Sequence, residues 1–155
     1  MLKFNGDEFN FSKTVDISAP LSIVYETAAR VDRYDRFLTD VATAKMQSED
    51  VCHMIVRAGP LRVDVTTKVT LEENKRIDFV MIDGPPLKRL AGTWIVAPNM
   101  SGGTSVTFEV NIQAGRAGNW LLKTASRYME RKGSALIEAF QQQILKQSQP
   151  GESAS

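Results

Sequence analysis

Apolar and polar residues alternate along most of the chain before residue 114, which is the period of a β-strand that buries one of its two faces. The clearest case is Leu61 to Leu71, where Leu, Val and Thr side chains alternate with Arg, Asp, Thr and Lys. Short breaks rich in Gly, Pro, Ser and Asn separate such segments. The predicted strands are Phe9 to Ile17, Val41 to Gln47, Val51 to Arg57, Leu61 to Leu71, Arg76 to Asp83, a strand that runs to about Ala97, and Thr104 to Gln113.

The alternation in Leu61 to Leu71 also predicts which side chains face the interior. It places Val65 on the apolar face and groups Lys68 with Asp64 on the face exposed to water. A β-bulge that reversed the alternation would instead turn Thr66 and Lys68 inward.

Helices are predicted at both ends of this series of strands. Pro20 suits the first turn of a helix whose body is Leu21 to Ala29, and a second short helix covers about Val31 to Leu38. A long helix is predicted for Asn119 to Gln147, because apolar residues recur there at steps of three, four and seven. Its stripe consists of Leu122, Ala125, Met129, Leu136, Phe140 and Ile144, with Gly133 on the same face.

Together these elements predict an α+β helix-grip fold. Short connections between consecutive strands imply an antiparallel meander, and a sheet with one apolar face must cover it with another layer. We expect a curved sheet of about seven strands, two short helices after the first strand, and the long C-terminal helix across the sheet. Residues 1–147 are expected to form one domain, and 148–155, rich in Ser, Gln, Gly and Pro, a disordered tail.

Composition narrows the function classes. The chain has 155 residues, of which 43% are hydrophobic and 24% charged, and its net charge is +1. Without a dense basic stripe and interleaved aromatic residues, nucleic-acid binding is not indicated. No apolar run approaches the roughly 20 residues that span a bilayer, and the first residues lack a signal-peptide core. A cytoplasmic protein without an integral membrane segment is expected, and the lone Cys52 agrees because it can form no internal disulfide.

Candidate catalytic groups are few. His53 is the only imidazole and falls on a predicted strand, where a surface or structural role is favoured over catalysis. The sequence has no metal-ligand cluster at suitable spacing, no Gly-rich phosphate loop and no dinucleotide fingerprint, so neither a metal nor a cofactor is expected. Asp83 precedes Gly84 and is typical of a turn. A non-enzymatic binding protein is therefore favoured over an enzyme.

Four parts of the sequence carry a family resemblance: Val15 to Pro20 with Val24 and Tyr25, Tyr34 to Leu38, Asp83 to Leu87 with Leu90 to Trp94, and Gly103 to Val110. In their order and spacing they resemble the START-like (SRPBCC) superfamily. Within it, the nearest resemblance is to the coenzyme Q-binding branch and the polyketide aromatase/cyclases. The resemblance covers about residues 11 to 147. It implies a hydrophobic cavity between sheet and long helix that takes a lipid, quinone, sterol or polyketide.

Combined with the strand alternation and the helix stripe, the resemblance predicts which residues contact the ligand. The second short helix would lie over the cavity mouth, or its aromatic residues would only attach the helix to the body. An inward apolar side chain can equally belong to a filled core, because periodicity does not distinguish a cavity wall from a packed interior. The predicted ligand-contacting residues are Tyr34, Phe37, Leu38, Val65, Phe79, Met81, Trp94, Phe108, Val110, Met129, Leu136 and Phe140.

Several functions remain open at this level. The first is binding or transport of a hydrophobic small molecule. The second is a polyketide cyclase, aromatase or dehydratase in the same cavity, although Val41 and Lys68 stand where the resemblance places a tyrosine and an arginine of the cyclases. Coenzyme Q-binding relatives usually read Tyr-Pro-x-Phe-Leu-Pro, whereas Tyr34 to Thr39 contains neither proline.

Two further functions are less favoured. The same branch resembles ribosome-association toxins, which the near-neutral net charge does not favour. A solid-cored module that binds a protein partner would show a filled interior and a large exposed apolar patch. The hydrophobic small molecule is the expected partner, and transient contact with a membrane surface stays open.

Overall fold

The computed structural model of the chain describes residues 2–5, 8–38, 41–58, 61–84, 87–114 and 119–148. In the C-terminal helix it describes the side chains at 123, 124, 126, 127, 130, 131, 135 and 137–146. The strands are β1 Leu2–Asn5, β2 Glu8–Ile17, β3 Val41–Met46, β4 Val51–Ala58, β5 Leu61–Glu72, β6 Arg76–Asp83, β7 Arg89–Pro98 and β8 Thr104–Gln113. The helices are α1 Leu21–Ala29, α2 Tyr34–Phe37 and α3 Asn119–Ser148.

The strands form a single antiparallel sheet in the order β1-β2-β8-β7-β6-β5-β4-β3. The predicted strands are all present, and β1 adds one more at the edge beside β2. Strands β3 to β8 each lie beside the next one in the chain, as their short connections predict. The predicted α+β helix-grip fold is confirmed.

The two helical segments after β2 differ slightly from the prediction. Pro20 has an extended conformation and precedes α1, where its carbonyl oxygen accepts hydrogen bonds from Ile23 and Val24 at 3.1 Å. The second predicted helix is split into a 3₁₀ turn, Val31–Arg33, and the single turn α2. One carboxylate oxygen of Asp35 on α2 accepts a hydrogen bond from the backbone N–H of Ala44, on the edge strand β3, at 3.3 Å.

The face of the sheet toward α3, called the inner face below, carries every second side chain of each strand. On β5, Val65, Thr67 and Val69 are buried on this face. Lys68 points the other way, is exposed, and lies 3.9 Å from a carboxylate oxygen of Asp50. The alternation that the sequence predicts for β5 is therefore present in the structure.

A β-bulge does occur near Lys68, but it lies on the neighbouring strand. Thr66 pairs with Asp83 and Thr67 pairs with Met81, so that Ile82 is the extra residue on β6. Because the extra residue belongs to β6, the alternation of β5 is unbroken. The bulge leaves Ile82 and Asp83 both exposed.

Helix α3 packs against α1, α2, β2 and β4. The buried side chains on its described part include Phe140 and Ile144 from the predicted stripe, together with Ile137 and Ser126, which the stripe omits. The charged residues Lys123, Arg127, Glu130 and Arg131 lie off this stripe and are exposed. The side chains of Leu122, Ala125, Met129, Gly133 and Leu136 lie outside the described residues.

Candidate ligand-binding site

Aromatic side chains from four elements meet between α3 and the inner face. Trp94 on β7 stacks on Phe140 of α3, with ring centroids 4.4 Å apart, and also contacts Phe108 of β8 at 4.5 Å. Phe37 of α2 lies 6.3 Å from Phe140, and Tyr34 lies 5.9 Å from Phe37. These five residues, called the aromatic cluster below, connect the helices to the sheet. All of them except Phe37 are buried.

Two polar groups sit within this apolar environment. The hydroxyl of Tyr34 donates a hydrogen bond to the carbonyl oxygen of Ala28 at the end of α1. Burial raises the pKa of Tyr34 far above its ordinary value, and the nearby Trp94 N–H opposes part of this rise. The indole nitrogen nevertheless falls short of hydrogen-bond geometry, and Trp94 Nε1 has no hydrogen-bond partner among the described residues.

Cys52 on β4 lies on the same face and is fully buried. Burial raises the pKa of its thiol to about 11, and the negative charges of Asp32 and Asp35 act in the same direction. Thr67 on β5, directly opposite, donates a hydrogen bond to the Cys52 carbonyl oxygen at 3.2 Å. Both Cys52 and Tyr34 therefore stay protonated near neutral pH.

Next to the aromatic cluster, the inner face is covered less completely. Val110 of β8 and Phe79 of β6 flank Gly92 of β7 in register, and Ile112 lies opposite Leu90. The apolar side chains of this region are only half-buried although they point toward the helix layer. We call this region the open floor, and it consists of Phe79, Met81, Leu90, Val110 and Ile112.

Two glycines shape the edge of the open floor. A Cβ atom at Gly92 would lie 2.3 Å from the ring of Phe79, so the ring rests directly on the glycine backbone. A Cβ atom at Gly84 would lie 2.6 Å from the sulfur of Met81 and 2.9 Å from a methyl carbon of Val65. Gly92 therefore allows a close approach of the Phe79 ring to the backbone of β7.

The predicted site residues fall into distinct places. Tyr34, Phe37, Trp94, Phe108 and Phe140 meet in the aromatic cluster, and Phe79, Met81 and Val110 belong to the open floor. Val65 and Leu38 are buried in the core. Of the three predicted contact residues in the second helical segment, only Phe37 is half-buried, and it would border an opening beside α2. The side chains of Met129 and Leu136 lie outside the described residues.

Other inner-face residues were not singled out from the sequence. Leu90 and Ile112 could have been found by extending the strand alternation to the ends of β7 and β8. The contact between Cys52 and Thr67 could not be predicted in this way, because it depends on how β4 pairs with β5. Lys13 interrupts the apolar alternation of β2, is half-buried, and lies opposite Phe108.

The structure also locates the remaining candidate groups. His53 is half-buried on β4 and lies opposite Thr66, on the side of the sheet away from the inner face. Among the described residues, no three His, Cys, Asp or Glu side chains are grouped so that they could hold a metal ion. None of the helices in the described part of the chain is long and apolar enough to cross a membrane.

The fold is similar to that of several solved proteins. The Zhui aromatase/cyclase from Streptomyces sp. R1128 matches with a TM-score of 0.82 and 16% identity over 92% of this chain and 97% of that chain. A protein from Thermus thermophilus matches with a TM-score of 0.78 and 19% identity over 90% and 99% of the two chains. A START superfamily protein from Mycobacterium smegmatis matches with a TM-score of 0.75 and 12% identity over 87% and 96%.

These identities are low, so the structural likenesses establish the fold alone. No curated protein sequence matches the chain. At the level of sequence families, however, residues 17–138 match the family described as polyketide cyclase / dehydrase and lipid transport. The match spans well over half of the chain and agrees with the START-like resemblance, and the chain belongs to this family.

Proposed function

We propose that the protein binds and carries a hydrophobic small molecule between the open floor and α3. The observation that supports this is the half-buried state of Phe79, Met81, Leu90, Val110 and Ile112, which face the helix layer beside a closed aromatic cluster. The candidate ligands are a lipid, an isoprenoid quinone or a polyketide-like molecule. The family description, which includes lipid transport, is consistent with this class.

Burial of apolar surface would provide most of the binding free energy. Each square ångström of apolar ligand surface removed from water contributes about 25 cal/mol. The Trp94 N–H supplies a donor in the same interior and would favour a ligand that carries an oxygen acceptor. The site thus combines an apolar surface with a polar group that can orient the ligand.

The proposal is tested by filling the open floor. We expect Val110→Trp to weaken binding of a fluorescent fatty acid and of a short-chain ubiquinone by at least tenfold, because the indole occupies the space of the ligand. Val80→Trp is the matched control, since Val80 is 42% exposed on the opposite side of the sheet. Titration by fluorescence gives the dissociation constants.

Equal affinity of Val110→Trp and wild type would contradict the proposal. If neither probe binds the wild-type protein, and organic extraction of protein purified from its producing cells yields no bound lipid, quinone or polyketide, the carrier function is rejected. A filled interior that serves a partner-binding module would then be the better interpretation.

A cyclase or dehydratase that uses the same cavity is the alternative. The family description and the likeness to an aromatase/cyclase fold support it at a general level. Proton transfer would need an interior base. Tyr34 and Cys52 have raised pKa values and remain protonated near neutral pH, so this alternative would have to use the half-buried Lys13 among the described inner-face residues. Lys68, which stands in the place of the cyclase arginine, is exposed on the other face. We therefore favour the carrier.

The two functions are separated by the fate of a bound polyketide-like compound. A carrier returns a linear poly-β-ketone mimic unchanged. A dehydratase or aromatase releases a product lighter by one or more water molecules, and a cyclase that stops at the aldol addition releases an isomer of the same mass. Liquid chromatography coupled to mass spectrometry distinguishes these results, because the cyclic isomer differs from the linear compound in retention time.

A further inference from the structure

A second groove opens to solvent away from the open floor. It has a volume of about 610 Å³ and lies where α1 ends, between the following 3₁₀ turn, the hairpin of β3 and β4, and the end of β5. The groove shares no lining residue with the open floor or the aromatic cluster. It is therefore a separate surface feature, and it does not depend on the function proposed above.

The base of this groove is apolar and partly exposed. Leu71 on β5 is 53% exposed and Met46 at the end of β3 is 38% exposed. Both follow the inner-face alternation of their strands, and below them lie the buried side chains of Val69 and Tyr25. Both side chains line one groove, and an exposed apolar surface with a polar rim is typical of a contact with another molecule.

The rim of the groove carries negative charge. Four acidic residues and one basic residue line it: Glu26 of α1, Asp32 of the 3₁₀ turn, Glu49 and Asp50 of the hairpin, and Arg30. The acids come from separate elements and surround the apolar base. Because the net charge of the whole chain is +1, this negative potential is local and is not a property of the whole surface.

Two further features strengthen the negative potential. The negative charge of Glu73 adds to the effect of burial in raising the pKa of Tyr25, which places another acid close to the groove. Helix α1 ends at the groove, where the partial negative charge of the helix C-terminus adds to that of the acidic residues and Arg30, the C-cap residue, offsets part of it. Lys68 offsets only part of the charge of Asp50, since the two groups are 3.9 Å apart and exposed.

We propose that this groove docks a cationic amphipathic peptide segment of a partner protein. The apolar side chains of such a segment would cover Leu71 and Met46, and its Lys or Arg side chains would meet the acidic rim. A nucleic acid or an anionic membrane surface would be repelled by the same rim. The volume of the groove suits a short peptide segment.

The test uses a short fluorescein-labelled peptide of Lys and Leu with an amphipathic helical pattern. A second peptide has Glu in place of Lys. Leu71→Ser removes the apolar contact and Glu49→Lys reverses a rim charge. Their matched controls are Ile82→Ser, since Ile82 is 59% exposed beside the bulge of β6, and Glu130→Lys on the exposed side of α3.

We expect the Lys-Leu peptide to bind the wild-type protein at low salt and to lose affinity as salt is raised. Each groove variant should weaken binding about tenfold, and each control should stay within about twofold. Unchanged melting temperatures would show that the exposed substitutions leave the fold intact. The carrier function is tested separately, because the fatty acid probe should bind the groove variants as it binds the wild type.

Three results would overturn the proposal. These are a Lys-Leu peptide that does not bind, a Glu-Leu peptide that binds as tightly as the Lys-Leu peptide, and control variants that lose as much affinity as the groove variants. Binding of duplex DNA or of anionic lipid vesicles that Leu71→Ser weakens and Glu49→Lys strengthens would place an anionic partner at the groove and would also contradict the proposal.

Discussion

At the scale of single residues, Cys52 shows how burial controls chemistry in this interior. Its thiol is fully buried, and its pKa is raised from 9.0 to about 11. The thiolate is the nucleophilic form of cysteine, so the native protein should react slowly with thiol reagents at neutral pH. The same shift links the stability of the protein to pH.

Below about pH 9 the Cys52 thiol is protonated in both the folded and the unfolded chain, and its contribution to stability is fully present. Between about pH 9 and pH 11 the unfolded chain loses the proton while the folded chain keeps it, so rising pH favours unfolding. We expect the free energy of unfolding of wild type to fall more steeply than that of Cys52→Ala, by up to about 1.4 kcal/mol per pH unit. Urea denaturation at several pH values measures this difference, and parallel curves would contradict it.

The sequence predicted residue positions well where strand alternation decides them. Lys68 on the outer side of β5 and Val65 on the inner side follow directly from that pattern. The hydrogen bond of Tyr34 to Ala28 and the stacking of Trp94 on Phe140 were not predictable, because each depends on the relative placement of distant elements. The exposure of individual inner-face residues was not predictable either, because it depends on how the helices cover the sheet.

At the scale of elements, the contact between α3 and the sheet depends on a few large side chains. Phe140 is fully buried and stacks on Trp94. Phe140→Ala should lower the free energy of unfolding by about 3–5 kcal/mol, because it removes a buried ring and leaves a cavity. Ile82→Ala, at an exposed position on β6, should change it by less than about 0.5 kcal/mol. A loss below about 1 kcal/mol for Phe140→Ala in urea denaturation would show that α3 packs less tightly than described.

Element types and bounds were largely predictable because turns and periodicity are local. β6 and β8 have the predicted bounds, and the long helix ends within one residue of its predicted end. The bulge at Ile82 and the edge strand β1 were missed. A bulge is defined by how two strands pair, and a strand of only four residues gives too short a pattern to detect.

At the scale of the whole molecule, one sheet and one long helix tie the chain together. The first and last strands of the meander, β3 and β8, lie in the same sheet as β2, and α3 contacts elements from both halves. We expect residues 1–147 to unfold as one cooperative domain. Far-ultraviolet circular dichroism and tryptophan fluorescence should give coincident urea transitions, and two separate transitions would contradict a single domain.

The hydrogen bond between Asp35 and the backbone of Ala44 affects how this molecule meets copies of itself. β3 is an edge strand, and an unpaired edge can recruit a strand from another chain and begin aggregation. The carboxylate of Asp35 occupies the N–H of Ala44, and α2 packs beside the strand. An incoming strand would have to displace a charged group from this edge. A single acidic side chain on α2 thus makes edge-to-edge association of two copies through β3 less favourable.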